Sequence, residues 1–148
     1  MLVRDAMTRN VPTIRVDKKL AAARSIMDWA GLNLLPVVDR EGHMVGIVTR
    51  DSMRDAIPAE VSLPAERDRR LANTPVGNAI IPDAPTVTAD TRAWQAAQVM
   101  TTRRVTCLPV VENDRVTGLV SASDLVALAH RVGDRLDFDA PILPPVAG

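Results

Sequence analysis

Apolar residues recur at helical spacing in two stretches of the chain. In the first, Leu20, Ala23, Met27 and Ala30 follow one another at intervals of three and four residues. This spacing places them on one face of a helix from about residue 18 to residue 30. Residues 93–100 carry the same face in the second stretch, through two alanines and a methionine. The pattern therefore predicts two amphipathic helices.

A short apolar run follows each predicted helix. The run reads LPVV at residues 35–38 and again at residues 108–111. Such a run is too short for a helix and is typical of a buried strand. A polar turn and a second apolar run come next, at residues 44–48 and 116–120. Each copy thus predicts two strands that lead into a second helix.

The ends of the second helices and two leading strands are also predicted. Pro58 ends the first of these helices near Ile57, because proline cannot continue a helix. Gly133 is expected to end the other. Short strands are expected at residues 14–16 and 86–88, ahead of the two amphipathic helices.

The two stretches are copies of one unit. From residue 3 to residue 38 every position has its counterpart 73 residues later, and eleven of these 36 pairs are identical. At Gly46 the offset falls to 72, which is a one-residue change in a hairpin loop. A unit of about 70 residues seldom supplies more than a few kcal/mol alone, so the two copies are expected to share a core.

We therefore predict an α+β fold built from two βαββα repeats. Repeat 1 is expected over residues 1–57, a linker over 58–74, repeat 2 over 75–132 and a C-terminal tail over 133–148. The linker carries a run of both charge signs, which is typical of a solvated helix rather than a binding patch. The proline-rich tail has no periodicity and is expected to be loose or extended.

Composition argues against several classes of partner. The 148 residues carry 18 basic and 18 acidic side chains, and this zero net charge gives no long-range attraction for nucleic acid. The aromatic residues, Trp29, Trp94 and Phe138, are too few to form stacking platforms. No stretch has the length of a membrane span, and the first ten residues lack the apolar core of a secretory signal. We expect a cytoplasmic protein that associates with neither nucleic acid nor membrane.

The residue types that usually carry catalysis do not assemble here. His43 and His130 lack partners at metal-ligand spacing, so no metal site is expected. Cys107 lies in a predicted strand and is more typical of a small core residue than of a nucleophile. Asp39 and Glu41 belong to a predicted turn. Without a nucleophile, a base and an orienting group, the sequence predicts no enzyme.

The duplicated arrangement resembles a known family. PT(I/V), an amphipathic helix, LPVV, and a G-h-V-(S/T) segment closing into a helix occur twice in register. This is similar to a tandem pair of cystathionine beta-synthase domains, or CBS domains, over residues 1–132. The resemblance implies two repeats around a pseudo-twofold axis, two clefts between them, and homodimers in many members. It also implies a regulatory module rather than a catalyst.

The ligands that the resemblance implies contain adenosine, such as AMP, ATP or S-adenosylmethionine. Such a compound would act as an effector, and no cofactor would be required. It would shift the arrangement of the two repeats, and an unknown regulated protein would recognise the change. Coupling of this kind requires that the ligand bind the two arrangements with different affinity.

Ligand-binding members carry the pattern G-h-h-(S/T)-x-x-D, in which the hydroxyl and helix start face phosphate and the aspartate binds the ribose. The second repeat matches it from Gly118 to Asp124, with Ser121 and Ser123 between. Unpaired amides at a helix start favour an anion, and one carboxylate accepts from two hydroxyls. However, S-x-x-D is also the spacing of a capping box. The two interpretations are compatible.

The first repeat departs from the pattern. Thr49 and Ser52 occupy the two motif positions, and the acid stands one place early, at Asp51. A shift of one residue rotates a helical side chain by about 100°. The second cleft, which uses Thr49 and Ser52, is therefore expected to be weaker, vacant or suited to another ligand.

The resemblance also implies that each cleft takes its base-binding wall from the other repeat. For the Asp124 cleft the wall residues are Arg15, Val16, Leu32 and Asn33. For the Ser52 cleft they are Thr88, Ala89, Val105 and Thr106. Val16, Leu32 and Val105 fit ordinary core positions equally well.

Basic residues for phosphate are poorly placed in the sequence. Several family members carry one directly before LPVV, but this chain has Leu34 and Cys107 there. Four arginines lie near enough in sequence to substitute, although a solvated helix face is favoured for each: Arg50, Arg54, Arg103 and Arg104. A polyphosphate is therefore a less expected ligand.

Two further hypotheses stay open. Trp29 and Trp94 lie on predicted helices, and packing at a homodimer interface or simple burial within the chain would explain them equally well. The alternative function is a structural or protein-interaction module whose clefts are vestigial, with capping as the sole task of Ser121 and Asp124.

Overall fold

The computed structural model describes residues 1–132, and the expected helix end at Gly133 and the tail lie outside this range. In chain order the elements are β1 (Thr8–Arg9), β2 (Ile14–Arg15), α1 (Leu20–Ala30), β3 (Leu34–Val38), β4 (Met44–Thr49), α2 (Arg50–Asp55), α3 (Pro64–Asn73), α4 (Ala93–Arg103), β5 (Cys107–Glu112), β6 (Arg115–Ser121) and α5 (Ala122–Val132). Short 3-10 helices lie at Val3–Asp5 and Val76–Asn78. The α+β fold predicted from the hydrophobic pattern is confirmed.

The strands form two three-stranded sheets. One has the order β2-β3-β4 and the other the order β1-β6-β5. In the first sheet β2 runs parallel to β3, with Ile14 opposite Val37, and β3 runs antiparallel to β4. All five residues of β3 are buried, which explains why LPVV is apolar without alternation.

The leading strand of the second repeat is shorter than predicted. Only Val87 forms a bridge, parallel to Val110, and its N–H donates to the Pro109 carbonyl at 3.0 Å. At Thr88 the chain turns, because the Thr88 N–H donates to Oγ1 of Thr91 at 3.0 Å. This local side-chain bond competes with strand pairing and ends the extended run.

The chain forms two compact units that do not follow the repeats in sequence order. One consists of residues 10–84 and 111–117 and is called the Ser52 unit below. The other begins with residues 1–9, continues with 85–110 and resumes at residue 118; it is called the Asp124 unit. The first nine residues of the chain therefore belong with the helices of the second repeat, and residues 75–84 belong with those of the first.

The core of the Ser52 unit is built on the apolar face of α1. Leu20, Ala23 and Met27 are completely buried, as their spacing predicts. Val76, from the start of the second repeat, is also completely buried in this cluster. Complete burial of a valine, leucine or methionine side chain contributes about 1.5–3 kcal/mol. The charged run of the linker lies in α3, where Asp68 pairs with Arg24 at 3.0 Å.

The core of the Asp124 unit repeats this arrangement. Ala93 and Ala96 of α4 are completely buried, together with Leu108 and Val110 of β5. Val3, from the first residues of the chain, fills the position that Val76 fills in the other unit. The two cores are thus built from equivalent residues of the two copies.

Candidate functional site

Asp124 and Ser121 form a reciprocal capping box at the start of α5. The Ser121 N–H donates to Oδ2 of Asp124 at 2.8 Å, and the Asp124 N–H donates to Oγ of Ser121 at 3.0 Å. The capping interpretation of the S-x-x-D spacing is therefore confirmed. Ser121 and Asp124 are half-buried.

The cap uses only part of the polar surface of this cluster. Oδ2 of Asp124 accepts the Ser121 N–H, whereas Oδ1 has no hydrogen-bond partner among residues 1–132. Oγ of Ser121 lies 2.9 Å from Oγ of the exposed Ser123. A carboxylate oxygen accepts two hydrogen bonds, so the cap leaves Oδ1 able to bind a pair of hydroxyl groups.

Thr49 and Ser52 form the same box at the start of α2. The Thr49 N–H donates to Oγ of Ser52 at 2.9 Å, and the Ser52 N–H donates to Oγ1 of Thr49 at 3.0 Å. Oγ of Ser52 also lies 3.1 Å from the Thr49 carbonyl, to which it donates its proton. This hydroxyl keeps one free lone pair and carries no charge.

Asp51 does not replace the missing carboxylate of the first repeat. Its side chain is 82% exposed and pairs with Arg54 at 3.2 Å. It is therefore directed along the solvent face of α2, as the one-residue shift predicts. The two helix starts differ by one charged acceptor.

The segment before β5 lies beside the start of α5. The Thr106 carbonyl accepts the Ala122 N–H at 2.8 Å. Val105 packs against the core of the Asp124 unit. Thr88 and Ala89 belong to this unit as well, and the Ala89 carbonyl accepts the Arg4 N–H at 3.0 Å. The structure thus places the four expected wall residues of the Ser52 cleft in the Asp124 unit.

The four expected wall residues of the Asp124 cleft lie in the Ser52 unit. Arg15 is exposed and pairs with Asp17 at 2.7 Å. Val16 and Leu32 pack against the core of the unit, so packing explains the apolar side chain at both positions. Asn33 is exposed.

Arg50 connects the start of α2 to the segment before β3. Its guanidinium donates to Oδ1 of Asn33 at 3.2 Å, to Oδ1 of Asp28 at 2.7 Å and to the Leu32 carbonyl at 3.1 Å. The sequence, in contrast, predicts a solvated helix face for Arg50. The sequence carries no local signal for these contacts, because the acceptors lie 17 to 22 residues earlier in the chain.

Cys107, the first residue of β5, carries an uncharged thiol at neutral pH. Burial and, to a smaller extent, the negative charge of Asp124 together raise its pKa to about 11. The thiolate is the reactive form of cysteine. Cys107 therefore contributes neither a nucleophile nor a positive charge next to Asp124.

The glycines of the two motifs serve a packing role. A Cβ added at Gly46 would lie 2.5 Å from the Ile81 carbonyl oxygen, and one added at Gly118 would collide with the Thr8 carbonyl. Ile81 and Thr8 are equivalent positions of the two copies. Glycine is needed because another backbone crosses the strand at this point.

Two classes of site are missing from the part of the chain that the structure describes. Residues 1–132 contain no group of three metal-ligating side chains. Within the same residues no helix has the length and apolar character that crossing a membrane requires.

Comparison with known proteins decides the family. The family model of the CBS domain matches residues 3–59 and again residues 76–131. The chain belongs to the CBS domain family. It carries two CBS repeats, in agreement with the sequence period.

The relatives of this CBS pair differ in length. A CBS domain-containing protein of Dictyostelium discoideum is 30% identical over 136 residues, which are 89% of this chain and 93% of that protein. A homoserine O-acetyltransferase of Methanosphaerula palustris is 30% identical over 131 residues, which are 88% of this chain but 24% of the enzyme. The chain thus spans about a quarter of the enzyme's length.

Solved structures of CBS pairs share the fold. The CBS domain pair of protein MJ0100, in complex with 5-methylthioadenosine and S-adenosyl-L-methionine, has a TM-score of 0.73 at 23% identity and covers 88% of this chain and 97% of that one. CBSX2 in complex with AMP has a TM-score of 0.74 at 22% identity, and the match covers 89% of this chain and 98% of that one. At these identities the likeness concerns the fold.

Proposed function

We propose that this CBS pair is a regulatory, non-catalytic module that binds an adenosine-containing ligand at Asp124. The observation that carries the proposal is the carboxylate of Asp124, whose Oδ2 caps α5 while Oδ1 has no partner within residues 1–132. The two fold neighbours with adenosyl compounds in their crystals support the choice of ligand class.

The chemistry of the carboxylate suits a ribose. Its free oxygen accepts from the 2′- and 3′-hydroxyls together, and hydrogen bonds to a charged acceptor are stronger than neutral ones. Oγ of Ser121 and Oγ of Ser123 lie next to it as further polar contacts. Ser52 offers one remaining lone pair, so the site at Thr49 and Ser52 binds the same ligand more weakly.

The base-binding walls expected from the resemblance remain predictions. They comprise Arg15, Val16, Leu32 and Asn33 for the Asp124 site, and Thr88, Ala89, Val105 and Thr106 for the Ser52 site. In this proposal they contact the adenine, and the ligand changes the conformation that a regulated protein recognises. This requires tighter binding to one conformation than to the other.

Calorimetric titration of AMP, ATP, NAD and S-adenosylmethionine into the wild type and Asp124→Ser tests the proposal. Ser52 demonstrates that serine at this position keeps both capping bonds. Asp124→Ser should therefore preserve the free energy of unfolding and weaken ligand binding about tenfold or more, since a charge-assisted bond is lost. Asp124→Ala serves as a second variant, which also loses the cap, at a cost of about 1 kcal/mol.

The capping bonds themselves favour one alternative function. If capping is the whole task of Ser121 and Asp124, the chain is a structural or interaction module with vestigial clefts. In that case none of the four compounds produces binding heat with the wild type. Asp124→Ser then behaves as the wild type in every assay.

We further propose that the CBS pair is a cytoplasmic homodimer. Trp29 on α1 is 89% exposed, so burial within the described chain does not account for it. An aromatic ring of this size is a typical anchor of a protein interface. Trp94, in contrast, is partly buried, and its ring nitrogen is inaccessible to solvent.

A further inference from the structure

The guanidinium of Arg50 holds the short connection between α1 and β3 in place. It donates to Oδ1 of Asn33 at 3.2 Å, to the Leu32 carbonyl at 3.1 Å and to Oδ1 of Asp28 at 2.7 Å. An arginine side chain presents its N–H donors in a rigid, planar fork. One side chain therefore binds three acceptors of this connection at the same time.

These bonds orient the side-chain amide of Asn33. Nε of Arg50 can only donate a hydrogen bond, so the atom that faces it must be the amide oxygen of Asn33. The amide nitrogen, Nδ2, then points away from the guanidinium, and it has no hydrogen-bond partner among residues 1–132. The exposed Asn33 thus presents two N–H donors in a fixed orientation.

The stability of the fold does not explain Arg50. The side chains of Arg50 and Asp28 are 39% and 58% exposed, and an ion pair with this exposure contributes little to stability. Arg50 is also the first residue of α2, where the helix dipole disfavours a positive charge. Its contacts therefore fit a role in positioning Asn33 better than a role in stabilising the helix.

The second repeat lacks this orienting contact. The residues that take the positions of Arg50, Asn33 and Asp28 there are Ala122, Thr106 and Thr101. Ala122 has no side-chain donor, and the segment before β5 is bound through the backbone, by the bond from the Ala122 N–H to the Thr106 carbonyl. The side-chain fork thus belongs to the copy that supplies the expected wall of the Asp124 site.

We propose that Arg50 is a positioning residue of the adenosine site at Asp124, and that it acts through Asn33, whose amide N–H groups donate to the adenine. The inference rests on the proposed function, which places Asn33 on the base-binding wall. Adenine carries ring nitrogens that accept hydrogen bonds, so an amide with its donors turned outward is the matching partner. Without Arg50 the amide is free to turn and to present its oxygen instead.

Calorimetry on the full chain measures the dissociation constants of 5′-methylthioadenosine and AMP, which share the adenosyl group. Arg50→Ala should bind both compounds about three- to tenfold more weakly, the range of one hydrogen bond. Arg50→Lys keeps the charge but not the fork, and it should show a similar loss. Arg54→Ala is the matched control and should bind as the wild type does, because Arg54 pairs with Asp51 on the solvent face of the same helix.

A variant of Asn33 separates positioning from other roles of Arg50. Asn33→Ala should weaken the binding of both compounds by itself, because it removes the N–H donors. In this background Arg50→Ala should change the affinity by less than about twofold, since the amide on which Arg50 acts is gone. A merely structural role of Arg50 would give the same loss in both backgrounds.

Four results would overturn the inference. Full affinity in Arg50→Ala would do so and leave the proposed function intact. A loss for AMP alone would show that Arg50 attracts the phosphate directly. An equal loss in the Asn33→Ala background would show that Arg50 does not act through Asn33. Binding of neither compound to the wild type would overturn the proposed function together with this inference.

Discussion

The close backbone contact at Gly46 gives a stability prediction that can be worked from the structure. A Cβ added to Gly46 would lie 2.5 Å from the Ile81 carbonyl oxygen and 2.7 Å from Cγ1 of Ile80. Distances below 3.0 Å do not occur for real Cβ atoms, and a backbone carbonyl cannot rotate away as a flexible side chain can. In Gly46→Ala the segment at residues 80–81 must therefore move away from β4.

The cost follows from the contacts that this movement breaks. Ile47 and Ile81 exchange two backbone hydrogen bonds, at 3.1 and 2.8 Å. Each contributes about 0.5–1.5 kcal/mol, and overpacking at a rigid site costs about 1–3 kcal/mol. We expect Gly46→Ala to lower the free energy of unfolding by about 2–4 kcal/mol, a large share of the roughly 5–15 kcal/mol of an ordinary domain.

Urea unfolding followed by circular dichroism measures the effect, with Gly77→Ala as the matched control. A Cβ at Gly77 meets Cγ2 of Val16 at 3.4 Å, an ordinary contact, and the residue has no positive φ. The control should stay within about 0.5 kcal/mol of the wild type. Equal unfolding midpoints for Gly46→Ala and Gly77→Ala would refute the packing role of the motif glycine.

Three further predictions concern single side chains. Arg50→Ala should lower the free energy of unfolding by less than about 1 kcal/mol, because its ion pair with Asp28 is largely exposed. It should nevertheless speed amide hydrogen exchange in the segment before β3, and unchanged exchange would contradict this prediction. Alkylation of Cys107 should accelerate as the pH rises to about 11. The protonated thiol should stabilise the folded state fully below about pH 9, and this stabilisation should be lost as the pH rises through 11. Rapid alkylation at pH 7 would contradict the raised pKa. Trp29→Ser should weaken the proposed homodimer in analytical ultracentrifugation, and an unchanged association constant would exclude α1 from the interface.

The helices and strands were predictable because their signals are local. The spacing of Leu20, Ala23 and Met27 specifies a buried face whichever element packs against it, and the structure places α1 at Leu20–Ala30. The strand predicted at residues 86–88 does not form over its full length, because the Thr88 N–H donates to Oγ1 of Thr91. β-propensity does not report this local competition with strand pairing.

The exchange of the leading segments between the two units was not predicted. Val3 and Val76 are equivalent residues in similar surroundings, and nothing in the local pattern states which copy each one packs against. The choice depends on contacts across some 90 residues, such as the Val3 N–H with the Thr91 carbonyl at 2.8 Å. Only the three-dimensional structure supplies that information.

The candidate site shows the same difference between local signals and contacts that are distant in sequence. The cap of Ser121 and Asp124 follows from a spacing of three residues and was predictable. The Thr106 carbonyl on Ala122 and the three contacts of Arg50 were not, since they join segments that are distant in sequence. In the proposed function these contacts determine which donors and charges remain available to a ligand.

The proposed bond between the free oxygen of Asp124 and the ribose hydroxyls can be isolated with a cycle of two ligands and two proteins. The dissociation constants of 5′-methylthioadenosine and its 2′-deoxy analogue are measured for the wild type and for Asp124→Ser. If this bond forms, the wild type loses about tenfold in affinity when the hydroxyl is removed, and Asp124→Ser loses almost nothing. An equal loss in both proteins would contradict it.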